Sequence, residues 1–191
     1  MIVSALMDCC PVMVYAGQEV GETGMDQEGF SGLDGRTTIF DYWAPDTLTR
    51  LYDNGKWDDT LLTQDERELR SFYSTLLRIC NQEKSISAGK FFDLMYVNPV
   101  SAGFNPHRQY AFLRSDGNEA VLVVTNFTDQ PLDTAVNIPQ HAFEYMGLKE
   151  NEHVTLQELL SGHTFRSCIL PDSPVRLRVP AQSGVVLKWK I

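Results

Sequence analysis

From about Ala88 to the C-terminus the chain is a series of short β-branched and aromatic runs separated by turn residues. That spacing restricts this part to an all-β arrangement. Phe91–Leu94, Gln109–Arg114, Ala120–Phe127, Thr134–Ile138, His163–Ile169, Val175–Val179 and Gly184–Ile191 read as strands. Turn signals lie between them: Ser115-Asp116-Gly117-Asn118, Thr128-Asp129-Gln130-Pro131 and Pro171-Asp172-Ser173-Pro174. Asp116-Gly117 within a short polar link predicts a hairpin. Repeated short strands of this kind specify an antiparallel β-sandwich, here of Greek-key type, and about 100 residues is an ordinary size for one. The second domain is therefore placed at residues 88–191.

Residues 1–87 have a different period. Thr63 and Glu66 form a capping box. Leu69, Phe72, Tyr73, Leu76, Leu77 and Cys80 then follow on one face of an amphipathic helix. Asp46 caps a shorter helix through Leu48, Leu51 and Tyr52, which Asn54-Gly55 stops. Met1–Cys10 reads as the last turns of a helix closed by Pro11; it has no N-cap, so the chain is expected to begin inside an element. Pro11–Ala16 is an apolar, β-branched run ended by Gly17, and it reads as a strand buried on both faces of a parallel sheet or barrel. Gln18 and Glu19 would emerge at its C-terminal tip, where parallel α/β proteins bind ligands. A glycine-rich loop follows, and then the cluster Asp34-Gly35-Arg36-Thr37-Thr38-Ile39-Phe40-Asp41-Tyr42-Trp43. A buried-type strand lacking neighbours is a self-pairing hazard, so self-association through residues 11–16 is expected.

Sixteen basic against 25 acidic residues leave a net charge of −9, which argues against nucleic acid and anionic membranes as partners. Cys9, Cys10, Cys80 and Cys168 form no C-x-x-C pair, and the four histidines have no zinc-binding spacing. Free thiols in the interior are the reading preferred here, which leans toward a reducing, cytoplasmic compartment. Asp26, Glu28 and Asp34 lack the order of a calcium loop. No metal and no cofactor is expected. Asn126-Phe127-Thr128 fits a glycosylation sequon but falls at a strand end.

PVMVYAGQEVG resembles the last barrel strand of α-amylase-type glycoside hydrolases (family 13), and DGRTTIFDYW resembles the loop after it. AVLVVTNF and LQELLSG resemble phrases of that family's C-terminal β-domain. The resemblance implies that residues 1–87 are the remnant of an incomplete (β/α)8 barrel, with its last strand and last helix. It implies a parent enzyme that acts on α-glucans such as starch and maltooligosaccharides by a retaining, two-carboxylate mechanism. The catalytic carboxylates of the family lie upstream of the matched portion, and none of their motifs occurs here. A complete barrel takes about 250 residues, more than this chain holds beside its sandwich. The isolated chain is expected to be inactive.

Four residues are candidates for contact with substrate. Asp34 and Arg36 would pair a carboxylate with a guanidinium, matching the donors and acceptors of sugar hydroxyls. A local surface ion pair is the competing reading. Trp43 offers a face for a pyranose, although packing of its loop explains it as well. Glu19 is expected to support the loops around it by hydrogen bonds to backbone amides. Trp57 and Trp189 are expected in a core or a domain interface. The alternative to an enzyme fragment is a non-catalytic α-glucan-binding or structural β-sandwich module.

Overall fold

The computed structural model describes residues 1–22, 46–171 and 173–191. In chain order its elements begin with helices α1 (Ile2–Leu6), α2 (Asp46–Tyr52), α3 (Gln64–Gln82) and α4 (Lys84–Ser87). Strands β1 (Lys90–Asp93), β2 (Gln109–Ser115), β3 (Glu119–Asn126) and β4 (Leu132–Val136) come next. Helix α5 (Gln140–Met146) precedes β5 (Asn151–Glu158), β6 (Thr164–Ile169), β7 (Val175–Val179) and β8 (Ser183–Lys190). The chain divides into two compact units, one of Met1–Cys10 with Leu76–Ile191 and one of Pro11–Thr75.

The larger unit is an antiparallel sandwich. Six strands form one sheet in the order β1-β2-β3-β8-β5-β6, and β4 pairs with β7 in the other. Leu113, Leu122, Val124, Leu156, Leu187 and Trp189 of the large sheet share one apolar core with Val136, Val175 and Val179 of the small one. Trp189 is thus a core residue, as expected. The predicted hairpin joins β2 to β3 with Ser115 opposite Ala120. Gly117 has φ 88, and the Asp116 carboxylate accepts from the amides of Asn118 and Glu119 at 2.9 Å each. These bonds hold its carboxyl below the usual range.

All seven expected strands form. Strand β5 and helix α5 are additions. Asn151–Glu158 carries only Val154 and Leu156 as apolar residues, and both are buried while most of their neighbours are exposed. Two inward side chains among polar ones give too weak an alternation to stand out. Helix α5 has seven residues, fewer than a periodic pattern needs, and Gly147 ends it in the left-handed conformation.

Strand β3 has one apolar face more than a sandwich uses. Ala120, Leu122 and Val124 meet the core, yet Val121 and Val123 on its other side are also fully buried. Helices α1 and α4 cover that side with Ile2, Ala5, Leu6 and Ile86. Gly184 permits the approach of α1, because a Cβ there would lie 2.9 Å from Ile2 Cδ1. Arg114, 2% exposed on the same side of β2, fixes both helices by their C-terminal ends. Its Nη1 donates to Met7 O (2.8 Å), Nη2 to Ile86 O (2.6 Å) and Nε to Ser85 O (3.3 Å). A cation at a helix C-terminus is favoured by the helix dipole. Cys80 Sγ donates to Ala5 O, and Lys188 Nζ pairs with Glu83 at 2.8 Å.

The smaller unit contains α2, the first part of α3, and the 3-10 turns Gln18–Val20 and Asp53–Gly55. Val20, Leu48, Leu51 and Leu62 pack together. The capping box forms, with Thr63 N donating to Glu66 Oε2 (2.8 Å) and Glu66 N to Thr63 Oγ1 (3.3 Å). The strand expected over Pro11–Ala16 does not form. Met13 is 81% and Tyr15 44% exposed. An apolar strand buried on both faces requires a ladder partner at each edge, and the described residues of this unit contain no strand at all. No barrel remnant is visible among them. Trp57 is likewise exposed rather than core, with its ring against Tyr52 in an edge-on contact.

Candidate functional site

Of the four residues expected at substrate, Asp34, Arg36 and Trp43 lie outside the described residues. Glu19 sits in the turn Gln18–Val20, which Gly17 opens at φ 83. A side chain at Gly17 would meet Glu22 Cβ at 2.6 Å, so the tight turn requires glycine. The turn closes through Val20 N to Gly17 O (3.1 Å) and Glu22 N to Gly17 O (2.9 Å). The loop whose amides Glu19 is expected to support, residues 23–45, lies outside the described residues. Gln18 Oε1 accepts from Tyr15 N at 3.1 Å and braces the start of the turn.

Among the described residues, helix α2 makes two polar contacts in this unit. Thr47 Oγ1 donates to Glu22, and Arg50 grips Glu66 through two nitrogens, with Nε to Oε2 at 3.1 Å. The Arg50 hydrogen bonds hold the Glu66 carboxyl down at about 2, aided by the amide of Thr63. A carboxylate held ionised so far below neutrality cannot donate a proton at pH 7, which excludes Glu66 as a general acid. Its arrangement is that of a structural clamp from α2 to the start of α3.

The larger unit carries a different feature, which spacing alone did not reveal. Phe92 of β1 packs on the core, and three rings gather around it on the surface. They are Tyr96 (centroid distance 6.2 Å), His141 (5.3 Å) and Tyr145 (6.1 Å). Tyr96 is 59% and Tyr145 52% exposed, and His141 is exposed as well. The Tyr96 hydroxyl is hydrogen-bonded to His141 Nε2. Lys90 Nζ donates to Tyr145 O (2.9 Å) and stands 4.9 Å from the Tyr145 ring centre. His141 and Tyr145 are four residues apart on α5, whose Ala142, Phe143 and Met146 face the core. Only the i, i+4 pairing of two exposed rings on a helix signals this cluster in the sequence, and the helix itself is inconspicuous there.

Elsewhere on this unit an open hollow of about 500 Å³ is lined by Glu119, His153, Gln157, Lys188 and Lys190 among others. Lys188 is already paired with Glu83 and with Glu119, so the hollow presents no free carboxylate couple of the sort hydrolysis needs. No group of three or more metal-binding side chains gathers among the described residues. The Asn126 side chain is buried, donating to Gln130 O (2.8 Å) and Pro180 O (3.0 Å), which removes its amide from reach of a glycosylating enzyme.

Residues 101–190 match the family model described as the alpha amylase C-terminal all-beta domain. A search among curated protein sequences finds no match. Among solved structures, the chain is similar to a maltogenic α-amylase from Thermotoga neapolitana, at 14% identity and a TM-score of 0.59, covering 100% of this chain and 35% of that one. It is similar to AmyP in complex with maltose, at 14% identity and TM-score 0.58, over 98% of this chain and 33% of that one. An α-amylase from Geobacillus thermoleovorans complexed with acarbose matches at 13% identity and TM-score 0.52, over 93% and 29%. The chain thus spans about a third of the length of these structures. At such identities the likeness is one of fold.

Proposed function

We propose that this chain, whose residues 101–190 match the model of the α-amylase C-terminal all-β domain, is the C-terminal portion of a family 13 glycoside hydrolase acting on α-glucans. The observation that carries this reading is the family match over the sandwich, together with a fold likeness to an α-amylase that extends over 100% of the chain. In this reading residues 1–87 derive from the end of the parent barrel and residues 88–191 are its appended β-domain. Pro11–Ala16 is then a barrel strand whose neighbours belong to another part of the parent, which accounts for an apolar segment left without a ladder. Self-association through that segment is the consequence for the isolated chain. Asp34, Arg36 and Trp43 contact glucose units in the parent, with Glu19 beside them.

The sequence carries none of the motifs that hold the family's acid and nucleophile, so the chain is inactive by itself. Reducing-sugar release from maltooligosaccharides by the purified chain is the test. No turnover is expected, and turnover abolished by Glu19→Gln would overturn the reading. Parentage is tested by immunoblotting source cells with an antibody against residues 90–191. A band at three or more times 21.6 kDa is expected, whereas a single band at 21.6 kDa would refute the parentage.

A further inference from the structure

We infer that Tyr96, His141 and Tyr145 form a surface platform that binds an α-glucan chain, away from any catalytic centre. The identity of the sugar rests on the function proposed above; the platform itself rests on geometry. Aromatic faces stack on the apolar C–H surface of a pyranose, and the polar edges of such rings reach its hydroxyls. Here the three rings surround Phe92 at tilts of 44–57° to it, with the Tyr96–His141 hydrogen bond joining two of them and the Lys90 ammonium over the face of the third, Tyr145. Both tyrosines are held by contacts already present, so little side-chain freedom is lost when a ligand arrives.

Size decides between a sugar and a protein partner. An aromatic side chain offers roughly 200 Å², so three rings about half exposed present roughly 300 Å². A stable protein interface takes about 800 Å² from each side. The platform is too small for that and suits a few sugar rings. Charge points the same way, because a chain at −9 repels acidic polysaccharides and leaves neutral ones.

Isothermal titration of the full 191-residue chain with maltoheptaose tests the inference, with cellohexaose as the comparison sugar. Maltoheptaose should bind and cellohexaose should bind more weakly. Tyr96→Ala combined with Tyr145→Ala should weaken maltoheptaose binding about tenfold or more. Tyr145→Phe, which keeps the ring, should retain most of the affinity, as should Trp57→Ala in the other unit. A urea midpoint equal to that of the parent chain would show that the double variant is folded. Undiminished binding by the folded double variant, no binding by the unaltered chain, or equal binding of cellohexaose would each overturn the platform. The immunoblot decides the parentage independently, so a platform that fails beside a large parent band leaves the proposed function standing.

Discussion

Replacing Arg114 should release the helical cover from the large sheet. The guanidinium is buried and donates to three main-chain carbonyls at the ends of α1 and α4, and it forms no ion pair with a carboxylate among the described residues. Burial draws its pKa down, though an arginine remains charged throughout the accessible range. A hydrogen bond to a charged group contributes about 1.5–3 kcal/mol, so three amount to roughly 4–9 kcal/mol before the opposing term. That term, the desolvation of the cation, is several kcal/mol. Arg114→Met keeps most of the apolar volume and avoids burying a charge, but it leaves three carbonyls without a donor. The net loss should be about 3 kcal/mol, and about 5 kcal/mol for Arg114→Ala, which adds a cavity. At this chain length each kcal/mol lowers the melting temperature by about 2–4 °C, so Arg114→Met should melt about 6–12 °C lower.

Urea denaturation of the full chain reads the loss as a lower midpoint at unchanged slope. A local readout accompanies it. Cys80 is half-buried, its thiol donates to Ala5 O, and burial pushes its pKa up. With Cys9, Cys10 and Cys168 replaced by serine, Cys80 should react with a disulfide reagent much faster once Arg114 is gone, because α1 then leaves the sheet. A stability for Arg114→Met within about 0.5 kcal/mol of the unaltered chain, with Cys80 still protected, would refute the reasoning. Desolvation would then cancel the three bonds, and apolar contact alone would hold the helices.

Two further tests address other contacts. The Glu66 carboxyl lies at about 2 in the folded chain against 4.5 unperturbed, so its clamp with Arg50 contributes fully above about pH 4.5 and is lost as pH falls toward 2. With Arg50 one-third exposed the contribution is about 1–2 kcal/mol, and Glu66→Gln should lower stability by that amount at pH 7 while matching the unaltered chain near pH 2 in urea titrations. The Ser85 hydroxyl is buried with no hydrogen-bond partner among the described residues, so Ser85→Ala should be neutral or stabilising by up to about 1 kcal/mol; a loss above 1 kcal/mol would show that the oxygen has a partner.

The strands were legible where three apolar residues or more alternate or run together, and hidden in β5, which has only Val154 and Leu156. β3 could be read from Ala120–Asn126 because every residue of that run is buried. The same run held a message about the cover. A sandwich strand needs apolar side chains on one face, and Val121 and Val123 oblige the chain to bring another layer to the second. Arg114 in an otherwise apolar strand was the companion signal, since a buried cation calls for acceptors from whatever packs on it. The Pro11–Ala16 run failed for the complementary reason. Its composition specifies burial on both faces, but composition does not supply the neighbouring strands, and without them Met13 and Tyr15 face solvent.

The candidate site was harder to read, because its signals are not periodic. Asp34, Arg36 and Trp43 were singled out by residue chemistry and by resemblance, and chemistry at a strand tip has meaning only when the strand is in its sheet. Glu19 shows the difficulty: its turn is set by Gly17, but the loop whose amides it is expected to support lies outside the described residues. The aromatic platform arises in the opposite way. Phe92 comes from the edge strand of the large sheet, Tyr96 from the 3-10 turn after it, and His141 and Tyr145 from a helix some 45 residues later. In the sequence each aromatic is as well explained by core packing, and Phe104 and Phe112 are indeed core. Exposure separates the two classes, and exposure is fixed by where α5 lands on the sandwich. A half-exposed ring that packs on other rings keeps a free face at little further entropic cost, which is the condition for binding a sugar rather than merely filling space.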